Sequence, residues 1–377
     1  MDRRSFLTCS AAGVAAATFA PTLAFAKAAT DKRFLFVIQR GAADGLMTLM
    51  PTGDPGLAAL RPQLAVEGGT KLDGMFTLHP ALKQTAALYA AKQAMFVHAV
   101  ASPYRDRSHF DGQNVLETGG SLPYRLRDGW MNRLVSTMPD DPKAIAFSPT
   151  VPPALRGAAQ VASYAPSNLP DASQDLLIRV GDLYQADKQL GPLWNQALSA
   201  RAQAGDLASA RGAAAAGALA AKMMAGPNGA RIGMVETDGW DTHSGQKGRL
   251  NAQLTGMDAM LAAFREGLGA DWSNTLVLVA TEFGRTAREN GTGGTDHGTG
   301  SVAWLLGGAV SGGKVVADWP GLSQAALYED RDLKPTTALD SLIATALAQQ
   351  FGQDPARLAA TLFPETGAKP LPKLLVA

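Results

Sequence analysis

Thr281-Glu-Phe-Gly-Arg-Thr-Ala-Arg-Glu-Asn-Gly-Thr-Gly-Gly-Thr-Asp-His-Gly-Thr-Gly300 lies between Thr275-Leu-Val-Leu-Val-Ala280 and Ser301-Val-Ala-Trp-Leu-Leu306. The flanking runs are short, β-branched and aliphatic, the pattern of buried strands. The 20 residues between them hold six glycines, two arginines and four side chains able to bind a cation: Glu282, Glu289, Asp296 and His297. A strand that stops at an acidic residue and opens into a glycine-rich loop is expected at the carboxyl edge of a parallel sheet. Open α/β sheets bind their ligands at that edge. Other strand ends should deliver their groups to the same place.

Working outward, Arg33-Phe-Leu-Phe-Val-Ile38 reads as a first strand that runs on to Asp44-Gly45, which is also the composition of a simple turn. Gln93–Val100 reads as a second strand, with His98 as a hydrogen-bonded core residue, and leads to Arg105, Arg107, Ser108 and His109. Ser108 is placed as a helix N-cap. That position also suits an anion or a nucleophilic hydroxyl, because the helix dipole and free N–H groups point at it. His79 precedes Pro80, at the first position of a helix, and is expected to cap or pack. Further strands are expected at 143–148, 230–236 and 313–317. The strand at 230–236 runs into Asp238, Asp241 and His243 before a long helix over 246–268. Asp241 and His243 are two apart, so a loop must aim them at one point; a capping turn would use the same residues. A closing helix is expected over 337–351. Strands alternating with helices predict a three-layer α/β/α fold with a mainly parallel sheet. Residues 149–229, rich first in Pro and Ser and then in Ala, Leu and Gln, read as a helical insertion or lid.

The first 26 residues read as a twin-arginine signal: Arg3-Arg4, an Ala-rich apolar segment, and Ala24-Phe25-Ala26 with cleavage after Ala26. Residues 27–377 then form a single α/β domain, periplasmic or secreted, with the twin-arginine translocase as its export partner and no stable membrane insertion. Cys9, the one cysteine, falls in the leader, so neither disulfides nor thiolate metal sites are expected in the mature chain. Of 34 Lys and Arg, two lie in the leader, and of 33 Asp and Glu, one does, leaving 32 of each sign. That balance excludes a nucleic-acid footprint.

The strand ends collect Asp44, Ser108 with His109, Asp238 or Asp241 with His243, Glu282, and Asp296 with His297. Carboxylates and imidazoles are ligands for Zn, Mn or Mg. Metals there would polarise an oxyanion ester and activate Ser108 or a water, with Arg40, Arg105, Arg107 and Arg285 available to an anion. The runs at 40–45 (Arg-Gly-Ala-Ala-Asp-Gly), 107–113 (Arg-Ser-His-Phe-Asp-Gly-Gln), 239–243 (Gly-Trp-Asp-Thr-His), 281–286 (Thr-Glu-Phe-Gly-Arg-Thr) and 294–298 (Gly-Thr-Asp-His-Gly) together resemble a bacterial family. It consists of twin-arginine-exported proteins of unassigned function, sulfatase-like, within the alkaline phosphatase superfamily, and the resemblance spans the mature chain. It implies an alkaline-phosphatase-like fold and a metal-dependent hydrolase of phosphate or sulfate esters, small-molecule or glycan. In that reading Ser108 is the nucleophile and His109 orients it or the leaving group, while Arg285 holds the oxyanion. Asp44, Asp241, His243, Glu282, Asp296 and His297 are the metal ligands it implies. The sequence departs from the superfamily at Glu282-Phe283, where active enzymes usually carry Asp-His. A non-catalytic envelope protein that binds a glycan, an anionic polymer or a partner protein on the same scaffold is the alternative.

Overall fold

The computed structural model describes residues 30–138, 144–166 and 172–376; the expected leader at 1–26 lies outside them. From Asp31 onward the described residues form one compact unit. Its main sheet comprises β1 (Arg33–Gln39), β2 (Ala94–Ala101), β3 (Ala144–Phe147), β4 (Ala162–Ser163), β5 (Ile232–Thr237), β6 (Thr275–Ala280), β7 (Ser301–Leu306), β8 (Lys314–Val316) and β9 (Thr337–Ala338). The spatial order is β8-β2-β7-β6-β1-β5-β3-β4, with β9 also paired to β2. All pairings are parallel except those of β7, which runs antiparallel to both β2 and β6. That exception matters for the site. Because β7 returns beside β6, the 281–300 loop leaves the sheet and re-enters it at one edge.

The alternation of β1 sorts the layers, since successive side chains of a strand point to opposite faces. Phe34, Phe36 and Ile38 pack with the helix Trp130–Thr137 and with the pair Leu339–Phe351 and Pro355–Leu362. Leu35 and Val37 pack on the other face, against the helices Lys83–Ala90, Ala213–Met224 and Gln246–Leu268. Helices on both faces of a mostly parallel sheet make the fold three-layer α/β/α, as the alternation predicts. Within 149–229, Ala162–Ser163 joins the sheet as an edge strand, Gln174–Gln185 and Leu190–Ala204 form a helical pair, and Ala213–Met224 packs into the core. Among the described residues no helix is long and apolar enough to cross a membrane.

His79 and His98 sit away from the strand-end groups. His98 is fully buried in β2, stacked 5.3 Å from Phe76, with Nε2 2.9 Å from the Leu49 carbonyl. Its Nδ1 accepts the Ala99 N–H at 2.7 Å, which fixes a neutral ring. Burial pushes its pKa down to about 4, and that of His79 likewise. The unfolded chain therefore takes up a proton near pH 6.5 that the folded chain refuses until about pH 4. Stability is then lost as pH falls through this window, by up to roughly 3 kcal/mol for His98. In urea unfolding curves from pH 4.5 to 7, His98→Gln should show a shallower pH slope than wild type. Equal slopes would remove His98 as the cause.

Candidate metal centre at the carboxyl edge

The glycine loop is a folded-back ribbon. Gly284 N–H donates to the Thr299 carbonyl and Gly298 N–H to the Gly284 carbonyl, both at 2.8 Å, and Arg285 pairs with His297 as an antiparallel bridge. This crossing explains the glycines. A Cβ on Gly284 would lie 1.8 Å from the Gly300 oxygen, and one on Gly294 would lie 2.3 Å from the His243 carbonyl carbon. Only glycine permits such approach. The loop thus lies directly on the 238–245 segment that follows β5.

His109, on the first turn of the helix His109–Thr118, meets these two loops. Ligand-capable atoms of His109, Asp241 and His297 all lie within 4.8 Å of one another. Asp241 Oδ1 is 3.3 Å from His297 Nε2 and 3.0 Å from His243 Nε2, and Oδ2 is 3.4 Å from His109 Nε2. His243 Nε2 is also 3.0 Å from His297 Nε2. Each ring is held from behind through Nδ1: His109 by Glu282 Oε1 at 2.9 Å, His243 by Asp296 Oδ1 at 3.0 Å, and His297 by the Arg107 carbonyl at 2.8 Å. His109 Nε2 is buried without a hydrogen-bond partner. Phe283 lies beneath the group, stacked 5.1 Å from the His109 ring and tilted at 51° to that of His297, 5.5 Å away. The phenylalanine is therefore a floor on which two imidazoles rest.

Charge is balanced within the group. The Glu282 hydrogen bond raises the His109 pKa, whereas burial lowers that of His297. Burial alone would raise the Asp241 carboxyl, but the Arg285 guanidinium and neighbouring imidazoles hold it below the usual carboxylate range. Asn290 and His243 do the same for Asp296.

The structure brings His109, Asp241, His243, Asp296 and His297 together and sets the other expected residues elsewhere. Asp44 is buried outside the group; its Oδ1 accepts Met47 N–H and its Oδ2 is held by Arg61 at 2.7 Å and by Gln246. Glu282 stands behind His109, with Oε1 also accepting Gly41 N–H and Gln113 Nε2, at 2.8 and 3.0 Å. It orients a ring and does not join the group. Arg285 is turned inward: its donors go to Asp241 Oδ1 at 2.6 Å and to the Thr295 hydroxyl and carbonyl, so it fixes Asp241 and has no free edge for an oxyanion. Arg40 and Arg107 are likewise tied to carboxylates, and Arg105 to the Ser102 and Tyr104 carbonyls. Ser108 is the N-cap residue, but its hydroxyl does not cap the helix; its backbone N–H meets the Tyr104 phenol at 3.2 Å. Asp238 makes contact with Gln253 through its carbonyl. Sequence reading missed Gln113, Asn290 and Arg61, polar residues in unremarkable helical or loop contexts whose partners lie far away in the chain.

The class so defined is a three-layer α/β/α protein with an imidazole-rich site on the carboxyl edge of its sheet. Residues 31–363 match the family described as "Protein of unknown function (DUF1501)", and the chain belongs to that family. No curated protein matches the sequence. Among solved structures it is similar to the C-terminal periplasmic domain of EcEptC from Escherichia coli in complex with Zn, at 11% identity, covering 93% of this chain and 94% of that one, with a TM-score of 0.42. It is also similar to the lipoteichoic acid synthase LtaP from Listeria monocytogenes, at 10% identity over 79% and 72% of the two chains, with a TM-score of 0.39. A putative sulfatase from Bacteroides thetaiotaomicron gives 11%, 91%, 77% and 0.40 in the same order. All three likenesses are loose.

Proposed function

We propose that His109, Asp241 and His297, with His243 beside them, hold a divalent transition-metal ion, and that the chain is an exported hydrolase of phosphate or sulfate esters. The direction of the rings carries this reading. Every Nδ1 faces a carboxylate or a carbonyl, groups that only accept, so the ring proton belongs there and each Nε2 turns toward Asp241. Imidazoles backed in this way are the outer-shell pattern of metal ligands. A donor set dominated by imidazole suits Zn better than Mn or Mg.

When bound, such an ion polarises ester oxygens and lowers the pKa of an attacking hydroxyl. The chain's own residues position the rest. Ser108, adjacent to His109 at the positive end of the helix, is the nucleophile in this reading. Arg285 keeps Asp241 ionised and in place, and Asn290 with Asp296 keeps His243 turned inward. Export in the folded state by the twin-arginine route, with cleavage after Ala26 and a periplasmic or secreted product, fits a protein loaded with metal before it leaves the cell.

The contact of Arg285 with Asp241 favours a second reading, because a guanidinium already offers that carboxylate a positive partner. A non-catalytic binding protein would keep the same network without an ion. Elemental analysis of the mature protein, purified without chelator, separates the two. Near-stoichiometric Zn or Mn, with turnover of 4-nitrophenyl phosphate, bis(4-nitrophenyl) phosphate or 4-nitrophenyl sulfate that chelator abolishes, is expected. No bound metal, and none taken up on titration, would sink the metal centre and favour the binding protein; bound metal without ester turnover would remove the hydrolase and leave the centre.

A further inference from the structure

A cavity of about 400 Å³ opens beside the candidate centre, and Asp296 belongs to both. Its volume is within the range of small-molecule sites. The wall nearest the centre is rigid: Asn290 Nδ2 donates to the His243 carbonyl and to Asp296 Oδ1, at 2.9 and 3.1 Å. Opposite runs the 322–331 segment. There Glu329 and Asp330 both hold positive φ, at 52° and 53°. Two consecutive residues without glycine in the left-handed region are costly, and such strain concentrates at ligand-binding positions. Arg107, itself at φ 61°, ties this segment down through Glu329 and Asp332 at 2.5 and 2.8 Å.

The chemistry of the lining narrows the occupant. Arg288 and Gln324 line the cavity and their side chains make no hydrogen bond among the described residues. Asp296 uses Oδ1 for His243 and Asn290, which leaves Oδ2 available, and Asp330 lines the same space. Glu289 is already satisfied, with its carboxylate accepting the Gln63 and Leu64 N–H groups at 3.0–3.2 Å. Leu60 and Leu322 supply a limited apolar side. Free donors and free acceptors are thus mixed, with Arg288 and Gln324 beside Asp296 and Asp330, while Arg331 is already held by Asp332 at 3.1 Å. Neither an anion nor a cation is favoured. Planar side chains of both kinds match neighbouring hydroxyl groups, each of which donates and accepts.

We infer that this cavity is a sugar subsite, which takes a neutral polyhydroxylated ring joined to the ester presented at the centre. The inference rests on the hydrolase reading for the ester; recognition of the sugar is tested apart from it. Glucose, galactose, mannose and N-acetylglucosamine are titrated against the mature protein by saturation-transfer NMR, with metal loaded and after chelator. The variants Arg288→Ala and Gln324→Trp, both at exposed positions, are titrated beside it. Saturable binding of at least one sugar, retained after chelator and weakened at least about tenfold by Gln324→Trp, is expected. If no sugar saturates, or if both variants bind as wild type does, the subsite is overturned. Sugar binding without ester turnover would remove the hydrolase and leave the subsite; turnover of the small aryl esters without sugar binding would do the reverse.

Discussion

Asp241→Asn is expected to lose the metal with an affinity drop well beyond a hundredfold, whereas Glu282→Gln should lose only about 10- to 100-fold. Asp241 is the one carboxylate that all three rings approach, at 3.0 to 3.4 Å. Replaced by an amide, it leaves three imidazoles and a fully buried Arg285 guanidinium around a space with no negative charge. A divalent cation would then be repelled by Arg285 with only the Glu282 and Asp296 carboxylates, each one imidazole further out, to offset it. Glu282 acts one step back: the Gln variant keeps the size but no longer pulls on the His109 ring with a full charge. Metal titration by calorimetry against both variants checks the order. Because Asn leaves Arg285 buried without its partner, thermal unfolding of each variant must be measured alongside. A folded Asp241→Asn protein that still binds one equivalent tightly would refute this centre.

That contrast also shows where sequence reading works. The rule that chemistry gathers where strands end picked out Asp241, His243, Asp296 and His297, because the loops after β5 and β6 begin at known strand ends. It picked Asp44 and Glu282 by the same signature, an acid just past a strand. Their side chains point the other way for reasons that lie far off in the chain. Glu282 is drawn back by Gly41 and Gln113, 241 and 169 residues away, and Asp44 by Gln246, 202 away. No local pattern distinguishes a carboxylate that faces the site from one that braces it. His109 was legible as a group beside a helix start, yet its place among the ligands depends on the loop fold that carries His297 to it. The direction of β7 is of the same kind. Its residues read correctly as a buried strand, but only pairing with β2 and β6 makes it antiparallel, and this returns the glycine loop to the edge.

Arg61→Met should destabilise the fold by roughly 3–5 kcal/mol, the range for breaking a buried ion pair from one side. The Arg61 and Asp44 side chains are 0% and 1% exposed, and their contact is 2.7 Å. Arg61 also donates to the Ala287 and Thr286 carbonyls, at 2.9 and 2.6 Å, so one side chain fastens the loop after β1 to the loop after β6. Its removal strands a buried carboxylate and two carbonyls at once. The double variant Asp44→Asn, Arg61→Met should recover a large part of the loss, since the uncompensated charge is then gone. Asp44 makes no approach to the His and Asp group, so the cost should be the same with and without chelator. Urea unfolding of the four proteins in both conditions tests each point. A single variant within about 1 kcal/mol of wild type would refute the brace. A cost that vanishes on chelation would return Asp44 to the metal and shift the centre toward β1.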